Sequence, residues 1–229
     1  MTEQSSPRWH RSLSFVAGLS GFAVVALNIA AVAFLRTSPH VYKPSSLDKW
    51  FEELTRHPQA HGWSALCFTL GTLALIPFAL GVWRALWSKP KTRSLLGPLA
   101  LGLGGLLNAV STMTVFVVAR YLLPHLSGNH DSIRATSMAL LGMTLSMDSL
   151  FNLVFGLGLM LVGWAQFDSE RFWRWQGLLG LVAGALTVVV SLQLFSDTFA
   201  RLLGIAGPLW LLWVLSVSWS LFGDTEAEA

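Results

Sequence analysis

Six apolar runs, each of about 18 residues or more, dominate this sequence and limit what it can fold into. They lie at about 12–35, 63–87, 95–123, 137–165, 177–195 and 203–222. A helix of about 20 apolar residues crosses the roughly 30 Å hydrocarbon core of a bilayer with its backbone groups bonded internally. The sequence therefore predicts an all-α polytopic membrane protein, with six transmembrane helices in a bundle and one membrane domain over residues 1–229.

The composition agrees with this class. Hydrophobic residues make up 53% of the chain and charged residues 12%, which excludes an ordinary soluble domain. The net charge of +3 comes from basic residues between the spans, so no nucleic-acid partner is expected. The expected partners are the lipid bilayer and either other membrane subunits or a second copy of the chain. The one cysteine, Cys67, excludes an intramolecular disulfide.

The loop after the second span predicts the orientation. Its sequence SKPKTRS carries Lys89, Lys91 and Arg93 without an acid, and short basic loops stay in the cytoplasm. An even number of spans then places both termini in the cytoplasm. The apolar run that follows Arg8 and Arg11 lacks a convincing cleavage site, so we interpret it as a retained first helix.

The connection after the first span has helical character at about 46–56. Ser45 and Asp48 resemble a capping box, and apolar residues then recur at helical spacing opposite charged ones. This pattern predicts a short amphipathic helix. It lies either in the membrane interface or as a lid on the outer ends of the spans.

One acid lies within the fourth apolar run, at Asp148. Thr144, Asp148 and Asn152 follow one another at intervals of four residues, which places them on one stripe of a helix. An acid at bilayer depth costs roughly 2.5–3.5 kcal/mol on insertion scales, so this stripe should face other helices or a wet cavity. We find no basic residue at the same depth in the sequence, and a carboxyl without a cationic partner can exchange protons or bind a cation.

The neighbouring spans carry polar stripes of their own. The third has Asn108, Ser111 and Thr112, and the fifth has Thr187 and Ser191 after two glycines. The sequence suggests that Asn108 pairs with Asp148. The predicted binding residues are Asp148, Asn108, Thr144, Asn152, Ser111, Thr112, Thr187 and Ser191. Alternatively, these side chains only hold the helices together.

The histidines form a second candidate site on the outer side. His57 and His61 have the spacing that places two imidazoles on one helix face, and His125 and His130 in the next outer loop are further candidate ligands. A metal on these residues is the one cofactor that the sequence suggests. The alternative is that they are separate interfacial histidines. Catalytic motifs such as HExxH and GxSxG do not occur, so no catalytic residue is predicted.

Several passages together resemble a known family. They are the long loop after the first span, LIPFALGVWRALW with its basic turn, and LVFGLGLMLVGW followed by a charged turn and WQGLLGLVAG. The chain is similar over about residues 12–222 to bacterial six-span integral membrane proteins grouped as a domain of unknown function. The resemblance implies six helices and a bacterial inner-membrane location. It implies no activity.

Three functional hypotheses follow from the sequence. The first is binding or translocation of a small lipophilic or cationic solute in a cavity around Asp148, between the third, fourth and fifth spans. The second is a non-catalytic accessory or structural subunit of a membrane complex. The third is a metal protein or membrane enzyme that uses the outer histidines.

Overall fold

The computed structural model describes residues 8–35, 47–87, 91–125 and 130–226. Its α-helices are α1 (Arg8–Leu35), α2 (Leu47–Arg56), α3 (Pro58–Leu73), α4 (Leu75–Ala85), α5 (Lys91–Val117), α6 (His130–Phe167), α7 (Arg174–Val190), α8 (Asp197–Arg201) and α9 (Leu203–Glu226). A π-helical turn at Val118–Leu122 and 3₁₀ turns at Leu123–His125 and Ser191–Leu194 extend α5 and α7. The described stretches contain no strand, and the predicted all-α class is confirmed.

Six helical stretches are long and apolar enough to cross a membrane, as the sequence predicts. They are Leu13–Leu35, Pro58–Ala85, Thr92–His125, Asp131–Phe167, Arg174–Leu194 and Asp197–Phe222. The amphipathic segment expected at about 46–56 is α2, which lies between the first two spans.

The third and fourth spans are longer than their apolar runs. The fourth has 37 residues and the third 34, whereas the fifth has 21. At about 1.5 Å per residue the fourth is about 55 Å long, well beyond a hydrocarbon core of about 30 Å. α5 and α6 therefore project beyond α7 at one end of the bundle, here called the α2 end. Polar residues such as Arg134 continue the helix there outside the apolar run.

The second span is broken near its middle, where Pro77 favours a break. α3 ends at Leu73 and α4 begins at Leu75, with Ala74 between them. Proline has no N–H, and its ring clashes with the carbonyl four residues earlier, here that of Leu73. Ala74 still donates to the Leu70 carbonyl at 3.1 Å, so the two halves stay continuous.

The helices form a closed ring of neighbours. α1 packs on α3, α4 and α9; α3 and α4 pack on α5; α5 packs on α6, α6 on α7, and α7 on α9. Glycines allow the closest approaches. A Cβ on Gly158 of α6 would lie 2.9 Å from the Leu101 nitrogen of α5. On the other face of α6, a Cβ on Gly156 would lie 2.8 Å from the Gly184 oxygen of α7.

Two apolar clusters fill the bundle. The larger one, the main core, includes Phe78, Phe155 and Trp213 and joins α1, α4, α5, α6, α7 and α9. The smaller one, the cap cluster, lies at the α2 end and consists of Trp50, Phe51, Leu54, Ala65, Val115, Val118, Ala119, Leu123, Leu141 and Leu145. The apolar face of α2 therefore packs on α3, α5 and α6 and covers the space between them.

Candidate functional site: a polar layer around Asp148

The packing of α5 against α6 determines which residues face Asp148. A Cβ on Gly104 would lie 3.2 Å from the Phe155 Cα, so these two positions are opposite each other. The helices are antiparallel, and seven residues forward on α5 correspond to seven residues back on α6. Ser111 therefore faces Asp148 across the α5–α6 interface.

Asp148 belongs to a layer of polar side chains between the two apolar clusters. On α6 the cap cluster ends at Leu145 and the main core begins at Phe151. The buried or half-buried polar residues at this level are Asn28, Thr69, Thr72, Asn108, Ser111, Thr112, Thr144, Asp148, Ser149, Asn152, Thr187, Ser191 and Gln193. The eight residues predicted for the binding site are among them, spread over about three turns of α6, and their role in binding stays a prediction.

Asp148 is less enclosed than the other residues on its stripe of α6. Leu141 and Phe155 lie on the same stripe of α6, seven residues before and after Asp148, and both are 0% exposed. Asp148 is half-buried although it lies at the centre of this closed stripe. α2 packs on the part of α6 that precedes Asp148, and α7 packs on the part that follows it. The fifth span ends at Leu194, at the level of Asp148.

The Ser111 hydroxyl, which faces Asp148, already has an acceptor. The Ser111 hydroxyl donates to the Thr144 carbonyl at 3.2 Å. A hydroxyl has one proton, so Ser111 cannot at the same time donate to the Asp148 carboxylate. A neutral Asp148 can donate to Ser111 Oγ and so complete a chain from Asp148 through Ser111 to Thr144. An ionised Asp148 competes with the Thr144 carbonyl for the Ser111 proton.

Two further hydrogen bonds cross between helices in the polar layer. The hydroxyls of Thr69 on α3 and Thr112 on α5 are 2.8 Å apart. Gln193, in the 3₁₀ turn after α7, donates through Nε2 to Ser149 Oγ at 3.4 Å. Together with the Ser111 bond, they link α3, α5, α6 and the end of α7 by side chains at one level. A role as helix-to-helix contacts is thus part of what these residues do.

Other predicted residues have different roles from those expected. Asn108 is buried, but its position on α5 faces Phe151, one turn away from Asp148. Thr187 and Ser191 are buried and bond to carbonyls of their own helix, at 2.7 Å to Ala183 and 2.6 Å to Val188. Asn152 is 3% exposed and continues the stripe of Asp148.

Sequence reasoning missed five members of the layer: Asn28, Thr69, Thr72, Ser149 and Gln193. Asn28 approaches α3 closely, since a Cβ on Gly71 would lie 2.9 Å from its Nδ2. In the sequence, the pattern that identified the polar residues of α5 and α6 was a polar residue isolated within an apolar run. The same pattern was present at Asn28.

The histidines separate into different environments. α2 ends at Arg56 and α3 begins at Pro58, so His57 lies at the junction and is exposed. His61 is 3% exposed, and neither ring nitrogen has a hydrogen-bond partner. His125 is exposed and contacts the Tyr121 carbonyl through Nδ1 at 2.8 Å. The side chain of His130 lies outside the described residues. Among those that are described, no three His, Cys, Asp or Glu side chains form a group that can hold a metal.

A groove reaches the polar layer from the lipid side. It has a volume of about 430 Å³ and is lined by Thr69, Leu73, Leu106, Ala109, Val110, Met113, Thr114, Val117 and Leu140. Thr69 is the residue that this groove shares with the polar layer. Asp148 does not line it.

These features define the class of the protein: a polytopic helical membrane protein whose bundle contains a polar layer with an acid. Residues 16–222 match the family described as Domain of unknown function (DUF4386), and the chain belongs to that family. The comparisons with curated proteins and with solved structures gave no match. Membership confirms the resemblance seen in the sequence, and it assigns no activity.

Proposed function

We propose that the protein binds a small cationic or lipophilic solute in the polar layer, with the Asp148 carboxylate as the group that holds the positive charge. The proposal rests on the partial exposure of Asp148. Leu141 and Phe155, which precede and follow it on the same stripe of α6, are fully buried. A packing group would be enclosed like its neighbours. A carboxyl that stays partly accessible can accept a ligand.

The charges around Asp148 support a cation as the ligand. None of the ion pairs described among the helices includes Asp148, and the side chain opposite it is the neutral hydroxyl of Ser111. A cationic ligand would supply the missing counter-charge. The hydroxyl of Thr144 and the amide of Asn152 lie one turn away on either side and can bind polar atoms of the same ligand.

A proton and a cation would compete for Asp148. The hydrogen-bond chain through Ser111 to Thr144 is complete when Asp148 is neutral, and a bound cation requires the carboxylate. Release of a proton on solute binding is the basis of proton-coupled exchange. We therefore propose, more specifically, that the protein transports its solute in exchange for protons. The sequence supports a bacterial cytoplasmic membrane with both termini in the cytoplasm. The α2 end would then face outward.

The test is equilibrium binding of tetraphenylphosphonium and of tetramethylammonium to the protein in nanodiscs. We expect Asp148→Asn to weaken binding about tenfold or more, the loss of one charge-assisted contact. Binding to the wild type should also weaken as the pH falls, because protonation removes the carboxylate. Asp131→Asn is the matched control, since it removes an exposed acid from the first turn of the same helix.

Two outcomes would contradict the proposal. If Asp148→Asn binds both cations as well as the wild type does, the carboxylate is not the binding group. If neither cation binds the wild type at millimolar concentration, the polar layer serves helix packing. The accessory-subunit interpretation then takes its place.

A further inference from the structure

A second group of buried polar atoms lies under α2, apart from the Asp148 layer. His61 and Ser64 are on one face of α3, and Ser137 is in the second turn of α6. They are 3%, 2% and 0% exposed. Both ring nitrogens of His61 and the hydroxyls of Ser64 and Ser137 have no hydrogen-bond partner. Leaving so many buried polar atoms without partners is unfavourable, so this space should hold water or a polar ligand.

The helix registers bring His61 and Ser137 to about the same depth. Gly62 of α3 faces Arg120, because a Cβ there would lie 3.0 Å from the Arg120 Cδ. The register of α5 on α6 continues outward through the π-helical turn. It places Ser137 at the level of Leu122, two residues after Arg120. His61 and Ser137 are therefore close in depth, on two helices that α2 bridges.

Between this group and Asp148 lies the cap cluster. Leu141 follows Ser137 by one turn on α6, and Ala65 follows His61 by one turn on α3; both belong to that cluster. Leu54 of α2 is 0% exposed in the same cluster. Removal of α2 would withdraw Trp50, Phe51 and Leu54 from this cluster and reduce the apolar packing between His61 and the polar layer.

The attachment of α2 is suited to movement. Along the chain it is joined to α3 by the single residue His57, whose backbone is non-helical with φ −130° and ψ 52°. At its first turn, Asp48 pairs with Arg134 of α6 at 3.0 Å, and both side chains are largely exposed. The Arg134 guanidinium also lies 5.8 Å from the centre of the Phe51 ring. Exposed ion pairs of this kind contribute little to the free energy that keeps α2 in place.

We propose that α2 is a movable lid over an access route to Asp148, and that His61, Ser64 and Ser137 line this route. The identity of the cargo rests on the proposed function. Glu53 of α2 lies close enough to His61 for their charges to interact, and it pairs with Arg56 at 3.3 Å. The route thus has a carboxylate at its outer part, neutral donors and acceptors within it and Asp148 at its inner end. This order of groups suits a small ammonium ion or a protonated amine.

The experiment measures access to the route without needing the cargo. Cys67 is first replaced by serine, and Ser137→Cys is introduced, a nearly isosteric change that should leave the fold intact. The reagent is the cationic methanethiosulfonate ethyltrimethylammonium, applied to protein in nanodiscs, with the labelling rate followed by intact mass. We expect slow labelling with α2 in place. Adding Arg134→Ala should raise the rate about twofold to fivefold, as expected for loss of an exposed ion pair.

Two controls separate lid opening from general loosening. Ala183→Cys lies at a position 0% exposed in the main core and should stay unlabelled with and without Arg134→Ala. Arg93→Ala breaks the ion pair with Asp168 at the opposite end of the bundle and should not change labelling of Ser137→Cys. Ser64→Cys should respond to Arg134→Ala as Ser137→Cys does.

The lid is contradicted if Arg134→Ala leaves the labelling rate of Ser137→Cys unchanged. It is equally contradicted if Ala183→Cys becomes reactive in parallel, because the bundle has then loosened as a whole. If Arg134→Ala does not change the labelling rate, the lipid-side groove at Thr69 becomes the candidate route to the polar layer. Failure of the cation-binding test would leave this labelling result intact, so the two proposals can fail separately.

Discussion

Replacing Gly156 by alanine should force α6 and α7 apart. An added Cβ would lie 2.8 Å from the Gly184 oxygen and 2.8 Å from the Val188 nitrogen, whereas ordinary contacts begin at 3.4 Å. Both atoms belong to the backbone of α7 and cannot rotate away. The helices must therefore separate by about 0.6 Å at this point, the difference between the two distances.

The expected loss of stability follows from two opposing effects. Overpacking of a tight interface costs about 1–3 kcal/mol. Alanine is better than glycine in a helix by about 0.5–1 kcal/mol, which offsets part of that cost. Subtracting the gain in helix preference from the cost of overpacking leaves a net loss of about 0–2.5 kcal/mol. We therefore expect Gly156→Ala to lower the free energy of unfolding by about 1–2 kcal/mol, near the middle of that range.

Gly142 provides a matched control on the same helix. A Cβ there would have no atom within 4 Å, so Gly142→Ala keeps the gain in helix preference without the clash. The assay is equilibrium unfolding in mixed detergent micelles with increasing sodium dodecyl sulfate, followed by circular dichroism. Gly184→Ala should resemble Gly156→Ala, and the double variant should lose less than the sum because one separation relieves both clashes. If Gly156→Ala is as stable as Gly142→Ala, the close contact between α6 and α7 is wrong.

The same assay tests three other contacts. Thr69→Val removes the hydroxyl pair with Thr112 and should lower the free energy of unfolding by about 0.6 kcal/mol, with an upper bound near 1.7 kcal/mol. Gln176→Leu removes the bond from Nε2 to the Ser216 carbonyl, 2.8 Å long in a fully buried site, and should lower it by about 1–3 kcal/mol. Arg93→Ala breaks a partly exposed ion pair with Asp168 and removes the contact with the Trp164 ring, and should lower the free energy of unfolding by about 1 kcal/mol.

The number and approximate positions of the spans could be predicted because hydrophobicity is a local property. Each apolar run must become a helix in lipid, whatever its neighbours are. The ends of the third and fourth spans could not be predicted in this way. α6 begins at His130, well before its apolar run, and the side chain of Arg134 is bound by Asp48 of α2. Contacts between distant segments therefore contribute to the helix beyond the membrane.

The polar layer was partly predictable for a similar reason. Asp148 is conspicuous because an acid in an apolar run is unfavourable unless it is sheltered. Thr69 is not conspicuous, because threonine in a membrane helix can bond to its own backbone, as it does here to the Ala65 carbonyl at 2.8 Å. The expected partner Asn108 faces Phe151, since glycines set the register of α5 on α6. Side-chain spacing within one helix carries no information about that register.

The sequence by itself determined the class of protein, its six spans, the amphipathic nature of α2 and the stripe that contains Asp148. All of these follow from the period of one helix and from the requirements of the bilayer. Only the tertiary structure decided that Ser111 faces Asp148, that five helices contribute to one polar layer, and that α2 covers buried His61. These relations depend on how far one helix slides along another, which is set by glycine contacts and helix lengths that act between segments distant in the chain.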